Sequence, residues 1–372
     1  MAKLTAQWLD DFQLLDATDE NPAGSPPAKK LSYLLRPAFI ARPGKTLRWG
    51  DWSNIEARVL PWLAGAEEML DIFRESDADK TKPDVYVRTA VQLVSEGPLV
   101  GMTGEEAWAI LQDKKHPLNG AVKAMRQAQG KVPVLSLGFG GGLGALQNMA
   151  VNYHVYFDAV TGKEVVERWR ETNQWAVDYW GKHGRNGSYG LWGAANSAME
   201  NPGDAFQAGK VIYVYDRAYL GGTLFCVLPC GRPLDYPGIK WEWREVENKK
   251  TGKREDRYQL TFRKGYARSA LWYGKLAENI TQATAASVLR RTLKRLDCGG
   301  ISYGRYDRPL EDWMPIVSHT HDEIVVESLP EDDKRAGEVL LHEMELNDEW
   351  DAGLPLKAEL AGGDFYYTKA GH

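Results

Sequence analysis

Asp51-Trp52-Ser53-Asn54-Ile55-Glu56-Ala57-Arg58 lies between an apolar run, Leu47 to Trp49, and a stretch whose apolar positions Ile55, Val59 and Leu63 recur at helical spacing. The pattern predicts a short strand ending at Gly50-Asp51 and a helix opened by Ser53, with Pro61 kinking or ending it. A carboxylate at such a junction has two uses. It can offer its oxygens to a ligand, or the stretch Ser53-x-x-Glu56 can act as a capping box that ties off the first helical turn. A second acidic group, His321-Asp322-Glu323, separates the apolar runs Ile316-Val317-Ser318 and Ile324-Val325-Val326, which read as a β-hairpin with the acids at or beside its tip. Two acids on a tight turn are common as a merely solvated tip. Adjacent carboxylates beside apolar strands repel each other unless a cation neutralises them, and paired metal ions roughly 3.5 to 4 Å apart serve in-line displacement at phosphorus.

Composition limits what these carboxylates can be. The chain has 372 residues, 43% of them hydrophobic and 26% charged, as in an ordinary globular protein large enough for one big core or two smaller ones. Met1 to Asp16 carries acidic residues and no run of signal-peptide length, and nothing later approaches the roughly 18 uninterrupted apolar residues of a membrane span. A cytoplasmic location is expected. Cys226, Cys230 and Cys298 have no companion pair at zinc-finger spacing, so reduced, buried thiols are expected. A formal charge of −5 gives no global nucleic-acid footprint, and any DNA affinity must come from local basic clusters and metal ions.

Glu20 to Lys30 is rich in Pro, Ala and Gly and reads as a flexible lead-in, with the folded part starting near Leu31. A mostly helical region is expected from Glu67 to Ala128, then the Gly-rich stretch Gly138 to Gly144, then more helix to about His183. Between Thr223 and Arg263 the pattern turns to strands, with Pro229-Cys230-Gly231 and Asn248-Lys249-Lys250-Thr251-Gly252 as turns. Leu271 to Leu296 reads as a helix.

Arg36-Pro37-Ala38-Phe39-Ile40-Ala41, running into Asp51 to Arg58, resembles the first palm motif of family A DNA polymerases, especially the bacteriophage-encoded branch related to bacterial DNA polymerase I. His321-Asp322-Glu323 resembles that family's later acidic hairpin. The resemblance implies an α+β fold, a palm of antiparallel sheet with helices plus mostly helical fingers. It divides the chain into a lead-in at 1–30, palm at 31–66, fingers at 67–222, a β-rich insertion at 223–270 and palm again at 271–372. It implies Asp51, the Trp52 carbonyl and Asp322 as ligands of two Mg²⁺ ions, Glu323 as a supporting acid, and Glu56 as the residue that excludes a 2′-hydroxyl.

Met125 to Gly140 is similar to the fingers helix that grips the triphosphate. Lys131 matches the family lysine, Phe139 the aromatic guarding the nascent base pair, and Leu135 a position where many members carry a sugar-side aromatic. Three departures stand out. The family arginine usually lies four residues before the lysine, where this chain has Gln127, with Arg126 one residue earlier as the candidate. Phe139 lacks a tyrosine hydroxyl. Pro133 removes a helical hydrogen bond, so the helix is expected to begin near Val132. Lys275 to Ala285 resembles the palm helix whose glutamine reads minor-groove acceptors, which makes Gln282 the candidate. His321 and Arg58 complete the expected DNA contacts.

A rival reading takes Val132 to Leu137 as a strand leading into Gly140-x-Gly142-x-x-Ala145, the weak form of a dinucleotide fingerprint and the basis for a nucleotide-cofactor oxidoreductase. A non-catalytic DNA-binding subunit of a replication complex is the other alternative. Gly130-Lys131 is followed by Val, not Ser or Thr, which excludes a phosphate-binding loop of the Walker type. Only 50 residues precede Asp51, where the family ordinarily carries a thumb and often an exonuclease. A separately encoded thumb or exonuclease subunit is therefore expected beside primer-template DNA and dNTPs, with no membrane partner. The aromatic run Phe365-Tyr366-Tyr367 has no assigned chemistry.

Overall fold

The computed structural model describes residues 38–181, 189–247, 253–297 and 306–364. The lead-in, the start of the folded part near Leu31, Arg36-Pro37, His183, the turn at 248–252, Cys298 and the run Phe365-Tyr366-Tyr367 lie outside them. In chain order the elements are β1 (Thr46–Trp52), then helices α1 (Ile55–Ala64), α2 (Glu67–Ala78), α3 (Val85–Leu93), α4 (Gly104–Gln112) and α5 (Asn119–Met125). A π-helical stretch, Arg126–Lys131, joins α5 to α6 (Val132–Leu137), and α7 (Leu143–Asn152), α8 (Ala159–Thr172), α9 (Gln174–Trp180) and α10 (Leu191–Glu200) follow. Seven strands come next: β2 (Ala205–Ala208), β3 (Val211–Asp216), β4 (Thr223–Val227), β5 (Pro233–Pro237), β6 (Lys240–Glu247), β7 (Arg254–Lys264) and β8 (Ala267–Leu271). The long α11 (Tyr273–Asp297), the hairpin β9 (Ile316–Thr320) and β10 (Glu323–Ser328), α12 (Asp333–Glu345) and β11 (Ala358–Asp364) complete the chain. The fold is α+β, as expected. Among the described residues no helix is long and apolar enough to cross a membrane.

Contacts divide the chain into two compact units, one from the described parts of Met1–Ser53, Leu289–Leu346 and Lys357–His372, the other from Asn54–Val288 and Asn347–Leu356. The first is built on an antiparallel sheet in the order β11-β1-β10-β9. Alternation sorts β1 into two faces. Leu47 and Trp49 pack with Ala41 and Val325 on one side. On the other, a side chain at Gly50 would collide with the Met344 sulfur of α12, and the Trp52 indole N–H donates to the Met344 carbonyl at 2.9 Å. Arg48 pairs with Asp333 at the start of the same helix. The end of α11 is tied in by Arg295, which meets Glu343 at 3.0 Å with both side chains buried.

The second unit is largely helical. Trp169 and Trp180 stack at 6.0 Å in its core, and the Trp180 indole donates to the Gly138 carbonyl at 2.9 Å. Its strands start at Ala205 rather than Thr223 and form two antiparallel sheets, β2-β3-β4-β5 and β6-β7-β8. Cys226 and Cys230 are free thiols, and burial pushes the Cys226 thiol up to about 12. Pro61 does not end α1. The helix closes instead at Gly65, whose left-handed φ of 72° lets its N–H reach the Pro61 and Trp62 carbonyls.

Gly130 shows where the helical unit tolerates no change. A Cβ there would lie 2.1 Å from the Tyr86 backbone oxygen of α3. Alanine ordinarily gains about 0.5–1 kcal/mol over glycine in a helix, but overpacking typically costs about 1–3 kcal/mol. Gly130→Ala is therefore expected to destabilise, read as a lower denaturant midpoint at unchanged m. A raised midpoint would contradict this close packing.

Candidate active site

In the sheet-based unit, the carboxylates gather at one end of the sheet. Asp51 stands directly opposite Glu323 across the β1–β10 ladder, and the Trp52 N–H donates to the Asp322 carbonyl at 3.2 Å. Thr320 pairs with Glu323, so His321 and Asp322 form a two-residue loop. His321 takes φ of 54°, a conformation uncommon outside glycine in which Asn, Asp and His are enriched. Glu323 is buried at 3% exposure, Asp51 and Asp322 are half-buried, and His321 is exposed. Like charges opposite one another destabilise a ladder, and a divalent cation reverses that sign.

The donor chemistry fits Mg²⁺, a hard ion that takes one or two carboxylates and fills its remaining positions with water and substrate phosphates. Among the described residues no group of three or more His, Cys, Asp or Glu forms a metal cluster.

Strand β11 reinforces this end. Glu359 pairs with Asp51 from the other side. The Ser53 N–H donates to the Lys357 carbonyl at 2.8 Å, and the Ser53 hydroxyl donates to Glu359 at 3.0 Å. Ser53 is thus held by the sheet and does not cap the helix. Helix α1 begins after Asn54, which takes a left-handed φ of 56° and makes no side-chain cap bond, so the capping box does not form. Glu56 lies in the first turn of α1.

In the helical unit, Arg126, Lys131, Leu135 and Phe139 follow one another along α5, the π-helical stretch, α6 and the residues just after it. Pro133 is the second residue of α6 and follows the π-helical stretch directly. Lys131 Nζ stands 5.1 Å from the Tyr153 ring centroid and 6.0 Å from that of Tyr86. Leu135 and Phe139 are half-buried, and Gln282 is exposed on α11.

Two candidate residues are engaged within the protein. Arg126 is paired with Asp84, its Nε donating at 3.0 Å, and its guanidinium lies over the Tyr86 ring at 5.1 Å. Arg58 is only 3% exposed. It donates twice to Asp77, at 2.6 and 2.9 Å, and lies 4.5 Å over the Phe73 ring, so a DNA phosphate cannot reach it without breaking a buried pair.

Tyr86 is the residue that sequence reasoning missed. It meets both Arg126 and Lys131, and its hydroxyl donates to the Asn54 side chain. Burial pushes its phenol well above the ordinary range, with Arg126 pulling in the other direction, so it stays a neutral donor. No motif marks it, and the available signal was Gly130, the glycine that lets its backbone approach. The dinucleotide reading also fails here. Val132 to Leu137 is helix, so the glycines that follow do not leave a strand as the fingerprint requires.

No protein-family model matches the chain. It is 32% identical over 344 residues to a DNA polymerase of Bacillus phage SP02, covering 90% of this chain and 43% of that one. It is also 32% identical over 126 residues to the chloroplastic and mitochondrial DNA polymerase I A of Arabidopsis thaliana, covering 34% of this chain and 10% of that one. A thermostable DNA polymerase I of Thermus filiformis is 33% identical over 101 residues, 24% of this chain and 12% of the relative. Among solved structures, the POL domain of Pol1 from M. smegmatis, in complex with DNA primer-template and dNTP, aligns with 96% of this chain and 45% of that one at TM-score 0.49 and 15% identity. The chain spans less than half the length of each of these relatives.

Proposed function

We propose, from the premise that this chain is a relative of the family A DNA polymerases, that it adds deoxynucleotides to a primer 3′ end under the direction of a template. The observation that carries this proposal is the meeting of Asp51 with the Asp322-Glu323 turn at the end of a single sheet. The sheet-based unit would act as palm and the helices of the other unit as fingers.

Each residue has a proposed task. Asp51, Asp322 and the Trp52 carbonyl would hold two Mg²⁺ ions, with Glu323 supporting them. Bound there, the ions would make the primer 3′-hydroxyl a stronger nucleophile and steady the leaving pyrophosphate. Lys131 would stabilise charge developing on the triphosphate. Phe139 would pack against the nascent base pair and Leu135 beside the sugar. Gln282 would donate to purine N3 or pyrimidine O2, acceptors that every correct pair presents in the minor groove. His321, at the hairpin tip, would sit against the primer terminus. Primer-template DNA and dNTPs are the proposed partners, with a separately encoded thumb or exonuclease subunit as a further one that co-purification would detect.

Primer extension tests the proposal. Synthesis should be absent in EDTA and restored by Mg²⁺. A chain that binds primer-template yet never extends it at any Mg²⁺ concentration would be a DNA-binding subunit instead.

Glu56 is proposed to occupy the space of a ribonucleotide's 2′-hydroxyl. With the capping box unformed, truncating Glu56 removes no cap. Glu56→Ala is expected to relax the preference for dNTP over rNTP by roughly tenfold or more, the scale of small-group steric discrimination. An unchanged ratio of the two kcat/KM values would remove Glu56 from the sugar pocket.

A further inference from the structure

We propose that the arginine-bearing face of the β6–β8 sheet binds the phosphate backbone of duplex DNA. Residues paired across an antiparallel ladder share a face, and the faces alternate along each strand. Arg244 stands opposite Arg257, and Arg263 opposite Arg268. Lys240, opposite Thr261, falls on the same side. Lys240, Arg257 and Arg263 are exposed and Arg244 is half-buried. Like charges directly opposite one another destabilise a ladder. Two such arginine pairs on one face oppose folding, and a bound polyanion reverses their sign.

The acids of this face do not cancel its charge. Glu242 and Glu255 are the carboxylates that the register places there, against five cations. Glu242 is shared between Lys240 at 2.8 Å and Arg268 at 2.9 Å, and Glu255 pairs with Arg257. Arg244 donates to the Arg268 carbonyl at 3.1 Å and Arg263 to the Leu220 carbonyl, and a carbonyl accepts a hydrogen bond without neutralising a cation. Five cations less two carboxylates leave three positive charges, in a chain whose overall charge is −5. The opposite face has the other sign, with Glu245, Glu247 and Asp256 outnumbering Arg254 and Lys264.

The strands also sort their rings. Trp241, Trp243, Tyr258 and Phe262 all belong to the acidic face, and the basic face carries no aromatic residue. A single strand is held largely by stacking its bases on rings, whereas a duplex needs only cations set against its phosphates. Six residues of strand separate Arg257 from Arg263, roughly 20 Å, which matches about six base pairs of duplex backbone.

The choice of DNA among polyanions rests on the polymerase reading, and duplex binding without synthesis tests the surface itself. The full chain is titrated into a labelled blunt duplex and followed by anisotropy over a series of salt concentrations. Arg244→Gln and Lys240→Gln are each expected to weaken binding about tenfold, the scale of one charge-assisted hydrogen bond. Each should also reduce the slope of log K against log salt by about 0.9. The losses should be alike for duplexes of any sequence, since phosphates carry no base information. Arg244→Lys keeps the charge and should keep the slope. The Lys240 side chain is 57% exposed, so its replacement should leave the denaturant midpoint unmoved. Arg254→Gln, which removes a cation from the acidic face, should change neither affinity nor slope. An Asp322→Ala chain should bind the duplex as tightly as wild type, which separates failure here from failure of the active-site proposal. A wild-type slope in the Arg244→Gln/Lys240→Gln double variant would overturn the inference. So would an equal effect of Arg254→Gln, which would reduce the result to net charge, or tighter binding of a single strand than of the duplex.

Discussion

Asp51→Ala or Asp322→Ala is expected to abolish primer extension, lowering the single-turnover rate by about a thousandfold or more while primer-template affinity stays within about twofold. A metal ion supplies several kcal/mol of transition-state stabilisation, and each 1.4 kcal/mol is tenfold in rate. Losing a ligand forfeits most of that. Duplex affinity depends instead on phosphate contacts, and neither aspartate is a cation. Folding should survive, because Asp51 and Asp322 are only half-buried at the end of the sheet. Extension retained in either variant would contradict the two-metal assignment. Equal loss of DNA binding and of synthesis would point to a collapsed sheet end, which the denaturant midpoint would reveal.

Lys131→Ala carries the second large effect. Removing one preorganised donor from a developing negative charge typically costs about 10²–10³ in rate, and the same ammonium should also contribute to ground-state dNTP binding. The rate of a single incorporation should therefore fall by about that factor and the apparent dNTP affinity weaken, with primer-template affinity unchanged. Because Arg126 is committed to Asp84, it is not expected to rescue the variant. Lys131→Arg should recover part of the loss by restoring the charge. Wild-type single-turnover kinetics in Lys131→Ala would confine its role to the aromatic surroundings of Tyr86 and Tyr153.

Local patterns carried the legible part of the fold. Leu47 and Trp49 alternate with smaller or polar neighbours, and Ile316 to Val326 brackets a polar turn, so β1 and the β9–β10 hairpin could be read directly. Pro133 does not start a helix, because the backbone is helical without a break from Asn119 to Leu137 and the proline falls just after the π-helical register gives way to α. What escaped was decided by residues far away in the chain. Ser53 and Glu56 match the capping-box pattern, yet the Ser53 hydroxyl is drawn to Glu359, 306 positions on. Arg58 and Arg126 look like exposed cations in sequence, but each is neutralised by an aspartate, 19 and 42 positions distant respectively. The close approach of Gly130 to the Tyr86 backbone, within the π-helical stretch, has no local signature. Strands β2 and β3 were missed because Phe206, Val211 and Tyr213 alternate over runs too short to stand out between a helix and a turn.

Templated insertion of a single nucleotide is the most direct test of the central claim. The full chain, Mg²⁺ and a recessed primer would be combined with each of four template bases and each of four dNTPs, and the primer resolved after one turnover. Extension should occur with the complementary dNTP in each of the four cases, fall sharply with the others, and vanish in Asp322→Ala. Indiscriminate addition regardless of template, or no addition by a folded chain that holds the primer-template, would contradict it.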